Sequence, residues 1–234
     1  MNATHTHRIN IAIDGPAGAG KSTVARKVAS ALRYIYIDTG AMYRAVTLRA
    51  LEAGLDPGDE DRVGRLADGL NIELLPGPEA QRVIVDGKDV SAELRTLDIN
   101  RNVSYVARLS SVRKRMSELQ RRMAADKGVV MDGRDIGTHV LPDAELKVFL
   151  TASPMERAKR RHLEMGSDSG IALEQLEREI AERDRMDRER EIAPLVQAAD
   201  ARLLDSTGKT ADEVAQIIVQ WGLAAASTIS AEEK

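Results

Sequence analysis

The stretch Gly15-Pro16-Ala17-Gly18-Ala19-Gly20-Lys21-Ser22 constrains this chain more than any other. It follows the apolar alternation Ile9, Ile11, Ile13 and precedes a helix-like run over residues 23–32, so a glycine-rich loop joins a strand to a helix. Gly, four residues, then Gly-Lys-Ser in that context is the pattern of a phosphate-binding loop. The glycines let the backbone curl with its N–H groups inward, making an anion-sized nest at a helix N-terminus. Lys21 is then predicted to reach the outer phosphates of a nucleoside triphosphate, and the Ser22 hydroxyl to face a magnesium ion.

The rest of the chain predicts an α/β sheet around that loop. Residues 9–14, 34–38, 128–132, 146–150 and 201–205 read as buried strands separated by helical stretches, the arrangement of a parallel sheet with helices on both faces. Ligands in such sheets gather at the carboxyl ends of the strands. Thr39-Gly40 reads as a turn before a helix carrying Met42, Val46, Leu48 and Leu51. The spacing of Val103, Val106, Val112, Met116, Leu119 and Met123 predicts a helix. Between them the texture changes: short strand-like runs at 70–74 and 83–85, and a tight turn at Asp86-Gly87, suggest an inserted antiparallel subdomain over 63–100. The core is then 9–62 and 101–223, closed by a helix over 210–223, with 1–8 and 224–234 as flexible termini. His5 and His7 in the first of these read as solvated.

Composition narrows the partners. With 43% hydrophobic residues the chain can build a large core, and no apolar run is long enough to span a membrane. It has no cysteine, which excludes disulfides and cysteine-ligated zinc and suits the cytoplasm. A net charge of −3 and 3% aromatic residues argue against nucleic acid, leaving small-molecule substrates and a monomer as the expectation.

A second anion site is indicated by arginines. Arg44, Arg113 and Arg134 each fall just after a strand end or on a helix near one. In 173–190, Leu173, Leu176 and Ile180 form an apolar stripe whose steps of three and four continue onto Arg183, Asp187 and Arg190. A helix lying in solvent would place its charges opposite the stripe. Guanidiniums in line with it point into a partly enclosed cavity, where their fork suits phosphate oxygens.

These residues together resemble a known family. Gly15 to Thr23, Asp38-Thr39-Gly40-Ala41-Met42-Tyr43-Arg44-Ala45, Asp132-Gly133-Arg134-Asp135-Ile136-Gly137-Thr138, and Glu182-Arg183-Asp184 through Asp187 to Arg190 are similar to bacterial cytidylate kinases. The resemblance runs over about residues 9–222 and takes in Gly87-Lys88-Asp89-Val90-Ser91 and Leu94-Arg95-Thr96. It implies a P-loop kinase fold with a five-stranded parallel sheet and a helical lid over about 155–190, and phosphoryl transfer from ATP, with Mg²⁺, to CMP or dCMP. Carried over, ATP meets Gly15, Pro16, Ala17, Gly18, Ala19, Gly20, Lys21, Ser22 and Thr23. Arg44, Arg134, Arg183 and Arg190 match the phosphate-clamping arginines, Lys21 with the last three being catalytic. Ser104, Arg113 and Asp135 match the cytosine readers, and Asp187 with Thr39 the ribose contacts. Ser22 is the metal ligand, and Asp132 a candidate for holding a metal-bound water. Arg157, Arg160 and Arg161 match a basic lid-entry helix, without indicating which of them meets ATP. Two rivals are weighed. Another small-substrate kinase, such as an adenylate or shikimate kinase, is opposed by residues 132–135 and the insert. A GTP-dependent switch would carry Asn-Lys-x-Asp, and no asparagine here precedes lysine.

Overall fold

The computed structural model describes residues 7–77, 81–165 and 171–232; residues 1–6 of the expected frayed start, 166–170 of the lid stretch and the last two residues lie outside them. Two compact units emerge: residues 1–36, 124–189 and 193–234 form the first, and residues 37–123 with 190–192 the second.

The first unit carries the main sheet. Strands β1 (Asn10–Asp14), β2 (Ile35–Asp38), β6 (Val129–Gly133), β7 (Leu146–Thr151) and β8 (Arg202–Asp205) lie in the order β2-β6-β1-β7-β8. β1 runs parallel to both β6 and β7, and β7 parallel to β8, with Ile13 beside Asp132 and Val148. Alternation along β1 sends Ile9, Ile11 and Ile13 into one core. There they meet Val24 and Val28 of α1 (Lys21–Leu32) and Val214 and Ile218 of α8 (Ala211–Glu232). α6 (Pro154–Met165) and α7 (Leu173–Arg188) share a smaller cluster of Ala158, Leu176 and Ile180.

α8 continues through Glu232 where a mobile tail was expected from residue 224. The reason is local: Ala224-Ala225-Ala226 is strongly helix-forming, Ala226 is buried, and Ile229 packs on the same core.

The second unit comprises α2 (Thr39–Glu52), α3 (Glu60–Gly69), the antiparallel sheet β3 (Ile72–Leu75), β4 (Arg82–Val85) and β5 (Lys88–Asp89), a short 3₁₀ turn (Glu93–Arg95), α4 (Leu97–Val106) and α5 (Ser110–Met123). The stretch 63–100 does not have a core of its own. Val63, Val83 and Val85 bury against Met42 and Val46 of α2, Val103 of α4 and Met116 of α5. Two further differences have simple causes. Thr39-Gly40 opens α2 instead of forming a turn, because the Asp38 carboxylate caps it by accepting from the Ala41 N–H at 2.8 Å. The helical stretch from Val103 to Met123 is two helices, since Glu60 accepts from the Ser110 and Ser111 N–H groups and so caps α5 separately.

Candidate functional site

In the first unit the loop between β1 and α1 has the backbone its glycines foretold. Gly15 has φ 150°, and a Cβ there would lie 1.9 Å from the Leu150 carbonyl oxygen, so no other residue fits. Gly20, at φ 85°, turns the chain into α1. Lys21 is buried and donates through Nζ to the Pro16 carbonyl at 2.7 Å, folding its ammonium over the loop. Burial, followed by the positive charge of Arg134, pushes the Lys21 ammonium down to about 7, with Asp132 opposing.

Two carboxylates stand behind the loop. Ser22 Oγ donates to Asp132 Oδ2 at 2.8 Å, and the Tyr36 hydroxyl donates to Oδ1 at 2.8 Å. Asp132 thus fixes the hydroxyl assigned to a metal; Tyr36, whose position in β2 gave no sequence signal, fixes Asp132 in turn. Asp14, buried at the end of β1, accepts from the Ile136 N–H at 2.8 Å and the Gly137 N–H at 2.7 Å. Burial raises its carboxyl to about 7 against the pull of those two donors. These bonds tie the strand that feeds the loop to the π-helical turn Ile136–Val140 just after Arg134 and Asp135.

Arg134 donates through Nε to Asp187 Oδ2 at 2.7 Å. Burial opposes the charge on its guanidinium, but Asp187, together with Asp184 and Asp132, holds the group above its ordinary range. On α7 the apolar face of Leu176 and Ile180 continues onto buried Asp184 and Asp187 with Arg183 half-buried beside them, while Arg178 and Arg185 are exposed. The helical steps put Arg190 on that face as well, but α7 closes at Arg188 and Arg190 lies beyond its end. Past the end of α7 the chain turns back, with Ala193 at φ 49° and the Leu195 N–H donating to the Asp187 carbonyl at 2.8 Å. Arg190 is buried in the second unit.

The lid-entry arginines separate clearly. Arg157 is buried and bonds the Ala17 carbonyl and Asp184. Arg160 reaches the Ala19 carbonyl at 3.3 Å and Ser206 Oγ at 2.9 Å. Arg161 pairs with Glu164. Beside the loop lies a cavity of about 270 Å³, lined among others by Gly20, Thr23, Arg160, Ser206, Lys209 and Thr210.

The second unit carries the remaining candidates. Thr39 is buried in the first turn of α2, and Arg44, one turn on, donates to Asp38 Oδ2 at 3.0 Å. Arg113, 1% exposed, donates to the Ala107 carbonyl at 3.1 Å and lies 5.7 Å from the centre of the Tyr43 ring. Ser104 is buried on α4. Among the described residues there is no cluster of three or more His, Asp or Glu that could hold a metal, and no helix long and apolar enough to cross a membrane.

Phosphate-binding loops serve switches as well as enzymes; α7 narrows the class here by bringing Arg183, Asp184 and Asp187 to the loop's own unit. A parallel sheet bearing this loop with an arginine-bearing helix beside it defines a P-loop kinase. The family model for cytidylate kinase matches residues 11–222. A cytidylate kinase from Desulforamulus reducens is 56% identical over 214 residues, covering 90% of this chain and 95% of that one. One from Bacillus cytotoxicus is 52% identical over 213 residues, covering 91% and 95%. The crystal structure of an uncharacterized protein from Eubacterium ventriosum ATCC 27560 shares the fold, with a TM-score of 0.52 at 15% identity over 92% of this chain and 98% of that one. This chain belongs to the cytidylate kinase family.

Proposed function

We propose that the protein transfers the γ-phosphoryl group of ATP to a phosphate oxygen of CMP or dCMP, giving CDP or dCDP and ADP. The observation that carries the reading is the buried Lys21 ammonium, folded over a glycine loop and sensing the charges of Arg134 and Arg183. Such a group gains most when phosphate charge arrives beside it, because a buried cation meeting an anion recovers the interaction that burial removed.

An acceptor phosphate oxygen is already anionic, so the reaction needs no strong general base. Catalysis is positioning and charge neutralisation. Residues Gly15 to Thr23 hold the triphosphate of ATP, with Lys21 against the outer phosphates. The cavity lined by Thr23 and Ser206 takes the donor nucleoside. The hard-oxygen pair of Ser22 Oγ and the Asp132 carboxylate fits Mg²⁺, which when bound neutralises phosphate charge; Ser22 would hold it, and Asp132 orients that hydroxyl. Arg44, Arg134, Arg183 and Arg190 bind the acceptor phosphate, and Thr39 with Asp187 the ribose. Asp135, as a carboxylate, accepts from the cytosine 4-amino group; Arg113 donates to N3, and Ser104 completes the set. The cysteine-free chain suits a reducing cytoplasm, where we place the enzyme.

An ADP-release assay with ATP against CMP, dCMP, UMP, AMP and GMP tests the reading. Turnover should be highest with CMP or dCMP. Preference for AMP or GMP, or ADP release independent of any acceptor, would overturn it.

A further inference from the structure

Among the charged groups that the reaction above leaves unused, Arg157 and Asp184 form a deeply buried pair: Arg157 is 5% and Asp184 3% exposed. Both act on one peptide unit of the phosphate-binding loop and its neighbour. Asp184 Oδ1 accepts from the Ala17 N–H at 3.1 Å, and Arg157 NH1 donates to the Ala17 carbonyl at 2.9 Å. Arg157 NH1 also bonds Asp184 Oδ2, and its Nε donates to the Ala152 carbonyl at 3.1 Å, anchoring the guanidinium to the end of β7. Gly18 lets α6 come this close: a Cβ there would stand 3.1 Å from both the Cβ and the carbonyl oxygen of Arg157.

We propose that Arg157 and Asp184 are positioning residues that grip the main chain of Ala17 from both sides and thereby set α7, with Arg183, against the phosphate-binding loop. A loop with three glycines at positive φ is intrinsically loose, and its N–H nest is useful only if its shape is fixed before phosphate arrives. Asp184 supplies that fixity from the helix that also carries Arg183 one residue earlier and Asp187 three residues later, the latter bonded to Arg134. One turn of α7 therefore touches the donor loop and orders two of the arginines assigned to transfer. The same geometry commits Nε and NH1 of Arg157 to protein oxygens in the interior, a structural rather than a nucleotide-facing use of the side chain.

The inference rests on the kinase reading, and its test separates the two. Wild-type protein is assayed first with ATP and CMP; no transfer there fails the reading itself. The full-length variants Asp184→Asn, Arg157→Lys and their combination are then compared by melting temperature, and by kcat and KM with each substrate varied in turn. Asn keeps an acceptor for Ala17 but removes the ion pair, turning its amide NH2 toward Arg157; Lys retains the charge but not the fork that serves three oxygens at once. Well below their melting temperatures, each single variant should lose about a hundredfold in kcat, the scale of a roughly 1 Å misplacement, with KM for CMP near the wild-type value. The double variant should lose no more than the worse single one, because the two residues bond each other and hold the main chain of the same residue. A folded single variant with wild-type kcat, or losses that multiply in the double variant, would overturn the proposal. If Asp184→Asn does not fold, Arg157→Lys is judged alone by the same kcat criterion.

Discussion

Arg134 Nε stands 2.7 Å from Asp187 Oδ2, joining the turn after β6 to α7. The pair links one residue assigned to phosphate with another assigned to ribose, so neither acts alone. Arg134→Ala and Asp187→Ala should each lower kcat/KM for CMP, while the double variant should lose less than the product of the two. A coupling of about 1–3 kcal/mol in a double-mutant cycle is expected for two groups in direct contact. Strict additivity would show that the two contribute independently.

The inner face of α7 should separate from its outer face. Arg183→Ala is expected to depress kcat much more than thermal stability, by about a hundredfold or more for a group neutralising transition-state charge. Arg178→Ala and Arg185→Ala should do little, since Arg178 is exposed and Arg185 pairs in solvent with Glu182 and Glu189. Kinetics and melting curves on the three variants check this. Equal behaviour would make the seam a solvated face.

How much of this could be read beforehand depends on how local the causes are. The phosphate-binding loop is legible because its glycines are demanded by the backbone itself, and the central strands β1, β6 and β7 because strands covered on both faces are largely apolar. β2 and β8, read as buried too, are edge strands with Ile35 57% and Leu203 60% exposed. The start of α2 was misread, although its cap, Asp38, is adjacent in sequence to Thr39, because a Thr-Gly pair is also turn-like. The Asp184 bond to Ala17 spans 167 residues, and no periodicity encodes such a partner; the apolar steps of α7 pass over Asp184. The apolar steps carry the face on to Arg190, but α7 ends at Arg188 and Arg190 lies beyond it, where helical spacing no longer applies. Distances across the sequence, and chain reversals after an element ends, are what residue spacing does not carry.

Two buried groups predict the pH dependence of stability in nucleotide-free protein. Asp14 moves from 3.8 to about 7, so between those values the folded state holds a proton that the unfolded chain has lost. That stabilisation is complete at low pH and disappears as pH rises through about 7. Lys21 moves from 10.5 to about 7, so above about 7 the unfolded chain holds the extra proton and stability rises with pH. Wild type should therefore pass through a minimum near neutrality. In denaturant titrations across pH, Asp14→Asn should flatten the acid limb and Lys21→Met the alkaline one. Variant curves parallel to wild type would contradict these shifts.

Base choice should reside in hydrogen-bond polarity. Cytosine presents an amino donor at position 4 and an acceptor at N3, and uracil reverses both. A carboxylate at Asp135 and a guanidinium at Arg113 therefore match cytosine and leave uracil with unpaired buried groups. CMP should be preferred over UMP in kcat/KM, and Asp135→Ala should shrink that preference chiefly by weakening CMP. An unchanged CMP-to-UMP ratio in a folded variant would remove Asp135 from base recognition.

The most direct test follows the phosphoryl group itself. With ATP labelled at the γ-phosphate and CMP as acceptor, wild-type protein should place the label in CDP with little free phosphate. Lys21→Ala, folded and of near-normal stability, should do so slower by at least about a hundredfold, the scale set by removing one preorganised charge from a dry site. Near-normal labelling of CDP by folded Lys21→Ala, or label released by wild type mainly as inorganic phosphate, would contradict the account.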